Sequence, residues 1–313
     1  MALSIIEKAS KFFLSSKNYL FIVILVLLAL LLILQYARGK VKFEGFQQKE
    51  PFVTERGDSV YDGFYAEIYD KLYKSESRAE SDTLKIVEST QPDKENSAFL
   101  DIGCGTGCVV DVLKRQGYNA IGVDKSKAMV EVGKERRPKT CGALQTNDVA
   151  DPMLFERGVF THILCLSQTI YEFPDKVQFF RNCKHWLVPG GYLLVHLVEP
   201  LKYNAIIPLG QPKGIVVKPV SKDGKRVTDT AIDFIDFKYK SSFDFDGLKD
   251  GVVVQIETFT DSKSSHVRRN EHTLYMNTPT AVLEDARYCG FLLQGEFVSG
   301  EDPEQKVYIL KAL

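Results

Sequence analysis

The chain has 313 residues, of which 44% are hydrophobic, and its 40 basic and 41 acidic side chains leave a formal net charge of −1. That composition suits one large or two small globular domains and disfavours nucleic acid as a partner, which calls for a basic face. The six cysteines (104, 108, 141, 165, 183 and 289) fall mostly in expected strands, helices and one glycine-rich loop, so they read as reduced thiols and not as a secreted disulfide framework. Cys104 and Cys108 are four apart, but no second pair with ligand spacing follows, so no metal site is expected.

In chain order, residues 1–18 form an N-terminal segment with apolar Leu3, Ile6, Phe13 and Leu14 among polar residues. Tyr19–Ala37 then contains only Gln35 as a strongly polar residue. At about 1.5 Å per helical residue such a run covers roughly the 30 Å hydrocarbon layer, so one transmembrane helix over 19–37 is expected, with the membrane as partner. Tyr19 and Tyr36 flank it as interfacial aromatics. Gln35-Tyr36-Ala37-Arg38-Gly39 is a poor signal-peptidase site, which favours an uncleaved anchor. Lys8, Lys11 and Lys17 precede the run, and Arg38, Lys40, Lys42 and Lys49 follow it, a bias toward a cytoplasmic C-terminal domain. Residues 38–59 read as a polar linker, and 60–313 as the main domain.

That domain opens with Tyr61, Tyr65 and Tyr69 at four-residue spacing, joined by Ile68 and Leu72 in one amphipathic helical stripe. A second helix is expected over Ala79–Thr90. Phe99-Leu-Asp-Ile-Gly-Cys-Gly-Thr-Gly107 follows: an apolar strand, the acidic Asp101, glycines 103, 105 and 107, then a helix over Cys108–Gln116. Glycines there permit positive φ and close approach of a ligand to the backbone. The spacing is G-x-G-x-G, not the G-x-G-x-x-G of dinucleotide dehydrogenases, and a carboxylate beside the loop suits a cationic amino-acid end better than a pyrophosphate.

Ala120–Asp124 is a second strand ending in a carboxylate able to accept two ribose hydroxyls. Leu144–Val149 brings Asn147 and Asp148, and Phe160–Leu166 reads as a fourth strand, followed by Ser167–Phe173. A helix over Asp175–Leu187, a Pro189-Gly190-Gly191 turn and a strand over Tyr192–Val198 come next. Residues 201–277 are too long for a plain connection. Alternation at Ile235, Phe237 and Tyr239, at Val252, Val254 and Ile256, and over Val267–Tyr275 reads as an inserted antiparallel β-sheet. A helix over Thr280–Tyr288 and strands over Phe291–Val298 and Lys306–Leu310 close the chain.

These motifs, in this order, resemble those of the class I S-adenosylmethionine-dependent methyltransferases, strongly over about residues 60–200. Thr161 departs from the pattern, since many members carry an acidic residue entering strand four. The resemblance implies an α/β fold: a Rossmann-like, doubly wound seven-stranded sheet with the antiparallel insert, preceded by the transmembrane helix. It implies S-adenosyl-L-methionine as cofactor, held by Asp101, Gly103, Cys104, Gly105, Gly107, Asp124, Asp148, Leu166 and Tyr65. Asp101 and the glycine loop would take its methionine end, Asp124 its ribose, Asp148 its adenine amino group, and a tyrosine of the first helix would cover it. Inserts of this kind often serve as a lid or dimer surface, so a homodimer through the insert is a candidate assembly.

The reaction needs a nucleophile aligned with an activated methyl group and, for an amine or hydroxyl, a general base. Candidates are His196 near the end of strand five, Glu172 after strand four, and His272 in the insert. The expected activity is methyl transfer to an acceptor that the residues leave open, with a small-molecule amine or hydroxyl favoured over a lipid or protein. The alternative is a catalytically inactive, membrane-tethered interaction module of the same fold. A nicotinamide-dependent oxidoreductase is disfavoured by the glycine spacing and Asp101.

Overall fold

A computed structural model of the chain describes residues 22–31, 48, 50–73, 75–205, 218–220 and 228–313. The chain divides into two units, Met1–Gly45 and Phe46–Leu313. In the first, residues 22–31 are helical, with outward apolar side chains such as Leu27 and Leu31. They are the described part of the expected 19–37 span; the rest of it, and the 1–18 segment, lie outside the described residues. Among the described residues no helix is long and apolar enough to cross a membrane.

The second unit is built on two sheets. The first contains β2 (Ala98–Ile102), β3 (Asn119–Asp124), β4 (Leu144–Thr146), β5 (Phe160–Cys165), β6 (Leu187–Val198), β12 (Phe291–Val298) and β13 (Gln305–Ala312). Its order is β12-β13-β6-β5-β2-β3-β4, parallel except at β13, which runs antiparallel to both β6 and β12. This is the doubly wound seven-stranded sheet expected from the motifs.

Successive residues of β2 point to opposite faces, so both faces must be covered. Leu100 and Ile102 join a core with Phe179, Phe180, Cys183 and Trp186 of helix α5 (Lys176–Trp186) and Val282 and Ala286 of α6 (Pro279–Tyr288). Phe99 packs on the other side with Ile86 of α2 (Ser75–Thr90), Val110 and Leu113 of α3 (Cys108–Arg115), and Val130 of α4 (Lys127–Arg136). Local chemistry sets the helix starts: Ser126 caps α4 by accepting from the Met129 N–H at 3.1 Å, and Asp175 caps α5 from the Gln178 N–H at 2.8 Å.

The second sheet has the order β1-β11-β10-β9-β8-β7. Five strands come from the insert: β7 (Lys218–Val220), β8 (Asp229–Asp233), β9 (Phe237–Asp244), β10 (Val252–Asp261) and β11 (Val267–Tyr275). They pair antiparallel, as expected. The sixth comes from within the expected 38–59 linker: β1 (Phe52–Arg56) joins parallel to β11, with Phe52 opposite Val267. From β1 the chain passes through a short 3₁₀ turn, Gly57–Val60, into helix α1 (Gly63–Tyr73), which carries the tyrosine stripe.

Candidate functional site

The loop after β2 turns through three positive-φ glycines: Gly103 (+65°), Gly105 (+54°) and Gly107 (+82°). Its amides face Asp124 at the end of β3, whose Oδ2 accepts from the Gly105 N–H at 2.8 Å and Oδ1 from the Ser126 N–H at 2.8 Å. A Cβ at Gly103 would collide with the Thr169 side chain, and one at Gly107 would lie 2.7 Å from Leu144. Gly103 therefore shapes the binding face of the loop, while Gly107 starts α3 against the core.

Helix α1 lies over this loop because an ionic cluster holds it there. Asp70 of α1 accepts from the Thr106 hydroxyl and from Arg136 Nη1 at 2.9 Å; Arg137 reaches it at 3.4 Å and donates to the Thr106 carbonyl at 3.0 Å. Arg136 also pairs with Glu67 at 2.7 Å. At the start of α1 the Ser126 hydroxyl donates to the Tyr61 carbonyl at 2.6 Å, and Lys125 meets Asp58 at 2.7 Å.

Between α1, the loop and the insert lies a cavity of about 460 Å³, a size suited to a small cofactor and acceptor. Gly103, Gly105 and Asp124 line it together with Glu172 and with Gln255 and His272 of the insert sheet. Tyr61, Tyr65, Tyr69 and Tyr73 line it from the covering segment. Ser167 (φ 50°) and Gln168 (φ 68°) also line it, holding left-handed backbone uncommon for such residues and often concentrated at functional sites. A smaller recess shares Gly103, Gly105, Tyr69 and Arg78 with the cavity and adds Asp101, Cys104, Leu166 and Asp82.

Two buried carboxyls sit at the glycine loop. Burial and the nearby charge of Asp124 push the Asp101 carboxyl up to about 8. Burial also raises Asp124, to about 6, against the pull of the Ser126 and Gly105 amides. Two buried acids are relieved by a cationic ligand and aggravated by a pyrophosphate.

Of the expected cofactor residues, Gly103, Gly105, Asp124 and Tyr65 line the main cavity, and Asp101, Cys104 and Leu166 the adjoining recess. Gly107, packed against Leu144, lines neither one, and nor does Asp148. Its carboxylate is half-exposed, accepts from the Ala150 N–H at 2.9 Å as in an ordinary turn, and meets Lys125 at 3.7 Å.

The candidate bases also separate. His196 points into the core: it is 1% exposed, neither ring nitrogen has a hydrogen-bond partner among the described residues, and burial pushes it down to about 3. That corrects its placement as a candidate. Glu172 and His272 do converge, bridged by Tyr61, whose hydroxyl donates to Glu172 and lies 3.5 Å from His272 Nδ1. Residues not anticipated are Arg78, Gln255 and, behind His272, the buried Glu257.

Comparison with known proteins agrees with this geometry. Residues 100–195 match the family model described as a methyltransferase domain. A Saccharopolyspora spinosa dTDP-4-amino-2,3,4,6-tetradeoxy-D-glucose N,N-dimethyltransferase is 28% identical over 174 residues, 54% of this chain and 66% of that protein. The chain spans between 44% and 66% of the length of the first curated relatives it matches. Among solved structures, the CcbJ methyltransferase from Streptomyces caelestis superposes with a TM-score of 0.60 at 16% identity, covering 82% of this chain and 99% of that one. The SAM-bound amino pentose methyltransferase CalS10 from Micromonospora echinaspora gives 0.52 at 17% identity, covering 79% and 97%. At those identities the likeness is one of fold.

Residues 100–195 thus match a methyltransferase domain, and the fold around them is shared with the solved methyltransferases CcbJ and SAM-bound CalS10. The residues present fit the cofactor: positive-φ glycines 103 and 105 in the cavity wall, a carboxylate at the end of β3, and buried acids suited to a cationic ligand.

Proposed function

We propose that this chain transfers a methyl group from S-adenosylmethionine to the amine, or else the hydroxyl, of a small-molecule acceptor. The observation that carries the reading is one cavity lined by Gly103, Gly105 and Asp124 together with Glu172 and His272. When bound, S-adenosylmethionine supplies a sulfonium-activated methyl group. The loop glycines admit it, Asp124 is placed for ribose hydroxyls, and Asp101 offers a counter-charge to an ammonium. Helix α1 and its tyrosines cover the site and exclude water.

Glu172 in the cavity wall suits an amine that arrives as an ammonium, and the named N,N-dimethyltransferase relative supports an amine acceptor. The apolar run 19–37 supports tethering of the domain to a membrane, with the catalytic unit on the cytoplasmic side. The test is transfer of tritiated methyl from S-adenosylmethionine to three probes: glucosamine, a nucleotide-linked 4-amino sugar and a catechol. Label in an amino sugar supports the reading. Cofactor binding with no label in any small acceptor favours the inactive interaction module instead.

A further inference from the structure

Glu257 of β10 and His272 of β11 sit diagonally on adjacent antiparallel strands, on the buried face of the insert sheet. Glu257 is 0% exposed, and its Oε2 lies 2.7 Å from His272 Nε2. Its Oε1 accepts from the Tyr239 hydroxyl at 2.6 Å, with Tyr73 at 3.5 Å. Burial alone would raise such a carboxyl, yet its pairing with His272 and the hydrogen bonds from His272, Tyr239 and Tyr65 hold it below the usual carboxylate range. An ionised carboxylate only accepts, so Nε2 carries the proton and donates it.

Nδ1 is then the nitrogen with a lone pair, on a residue that lines the cavity. The Tyr61 hydroxyl 3.5 Å away does not quench it, because that hydroxyl donates to Glu172. The other groups facing the ring are Tyr65 at 5.8 Å between ring centres and Glu172, itself raised chiefly by burial and flanked by Asp58 and Lys125.

We propose that His272 is the general base of the transfer, taking the acceptor's proton on Nδ1, and that Glu257 is the positioning residue that fixes the Nε2–H tautomer. The inference rests on the methyltransferase reading above. The acceptor's nitrogen or oxygen lone pair forms the new bond to the methyl carbon, and the sulfonium sulfur keeps the electron pair of the bond that breaks. The proton shed by that nitrogen or oxygen passes to Nδ1, and the resulting imidazolium is neutralised by Glu257. A base oriented by a buried carboxylate follows the logic of hydrolase triads on an unrelated scaffold.

The test is nitrogen NMR of the full chain, labelled at histidine, with S-adenosylhomocysteine bound; His272→Gln identifies the resonance. In the neutral ring, protonated Nε2 with bare Nδ1 is expected, and Glu257→Gln should mix or invert the tautomers. Protonated Nδ1 in the unaltered chain overturns the proposal. In the labelled-methyl assay with the amino sugar, His272→Gln should keep its affinity for S-adenosylhomocysteine and lose turnover by about 10²–10⁴-fold, the usual worth of a general base. A loss below about tenfold overturns the proposal. If the unaltered chain fails to bind S-adenosylhomocysteine, the methyltransferase reading itself falls and takes this inference with it.

Discussion

Asp62 uses one carboxylate oxygen to cap helix α1, accepting from the Tyr65 N–H at 3.0 Å, and the other to meet Arg268 Nη1 of β11 at 2.6 Å. Arg268 also donates to the Val60 carbonyl at 3.1 Å and to Asn270 Oδ1 at 2.8 Å, and its guanidinium lies 5.0 Å from the Phe64 ring centre. One buried arginine thus joins the cover of the cavity to the insert sheet.

Arg268→Ala should therefore loosen the cover without unfolding the core. Asp62 is 44% exposed in its side chain, so water partly compensates it, and a loss of about 1–2 kcal/mol is expected. Cofactor affinity should fall roughly tenfold, the equivalent of about 1.4 kcal/mol. Arg268→Lys should lie between, since it keeps the charge but not the fork. Calorimetry and limited proteolysis within residues 50–62 would read both effects.

Asp101, raised to about 8, makes stability depend on pH. The folded protein keeps a proton that an unfolded aspartate releases above about pH 4, so the folded state is progressively disfavoured as pH rises toward 8. Buried His162 and His196, lowered to about 4 and about 3, act below the ordinary histidine range with the opposite slope. Between about pH 6.5 and 8 the ligand-free protein should lose up to about 1.4 kcal/mol per pH unit relative to Asp101→Asn. Thermal unfolding of the two proteins checks this. Cofactor binding near pH 7 should release about one proton, visible in buffers of different ionisation enthalpy and absent in the variant.

Gly103→Ala introduces a Cβ against Thr169 at φ +65°. Left-handed backbone alone costs about 1–2 kcal/mol in a non-glycine residue, and the collision adds to it. Affinity for S-adenosylmethionine should fall by at least about tenfold, and Thr169→Ala in the same chain should recover only the steric share. Titration of both variants separates the two.

His196→Leu should be harmless to the site. It removes two buried nitrogens that have no hydrogen-bond partner among the described residues, so stability should rise by about 1 kcal/mol while cofactor affinity stays unchanged. Chemical denaturation beside calorimetry is the check.

The seven-stranded core was legible because its signals are local: Asp101, three glycines and Asp124 lie within 24 residues, and each turn or strand end is forced by its own residue types. The insert half of the site was not, because its buried faces break the usual pattern. In β10 the apolar alternation of Val252, Val254 and Ile256 located the strand, yet those residues are only partly buried. Val253, Gln255, Glu257 and Phe259 face inward instead. The inward polar residues are matched by Tyr73, Tyr239 and His272, partners far away in sequence. Strand β1 escaped notice for a similar reason: Phe-Val-Thr-Glu-Arg has no clear alternation, and it forms only because β11 offers an edge. Asp148 shows a local alternative: an Asn-Asp pair after a strand can satisfy itself in a turn.

The most direct measurement is calorimetric titration of the full chain with S-adenosylmethionine, S-adenosylhomocysteine and NADH, repeated on Asp124→Ala. Saturable binding of both adenosyl ligands, no binding of NADH, and loss of affinity in the folded variant is the predicted result. Binding of NADH, or adenosyl binding indifferent to Asp124, would contradict the assignment of this cavity.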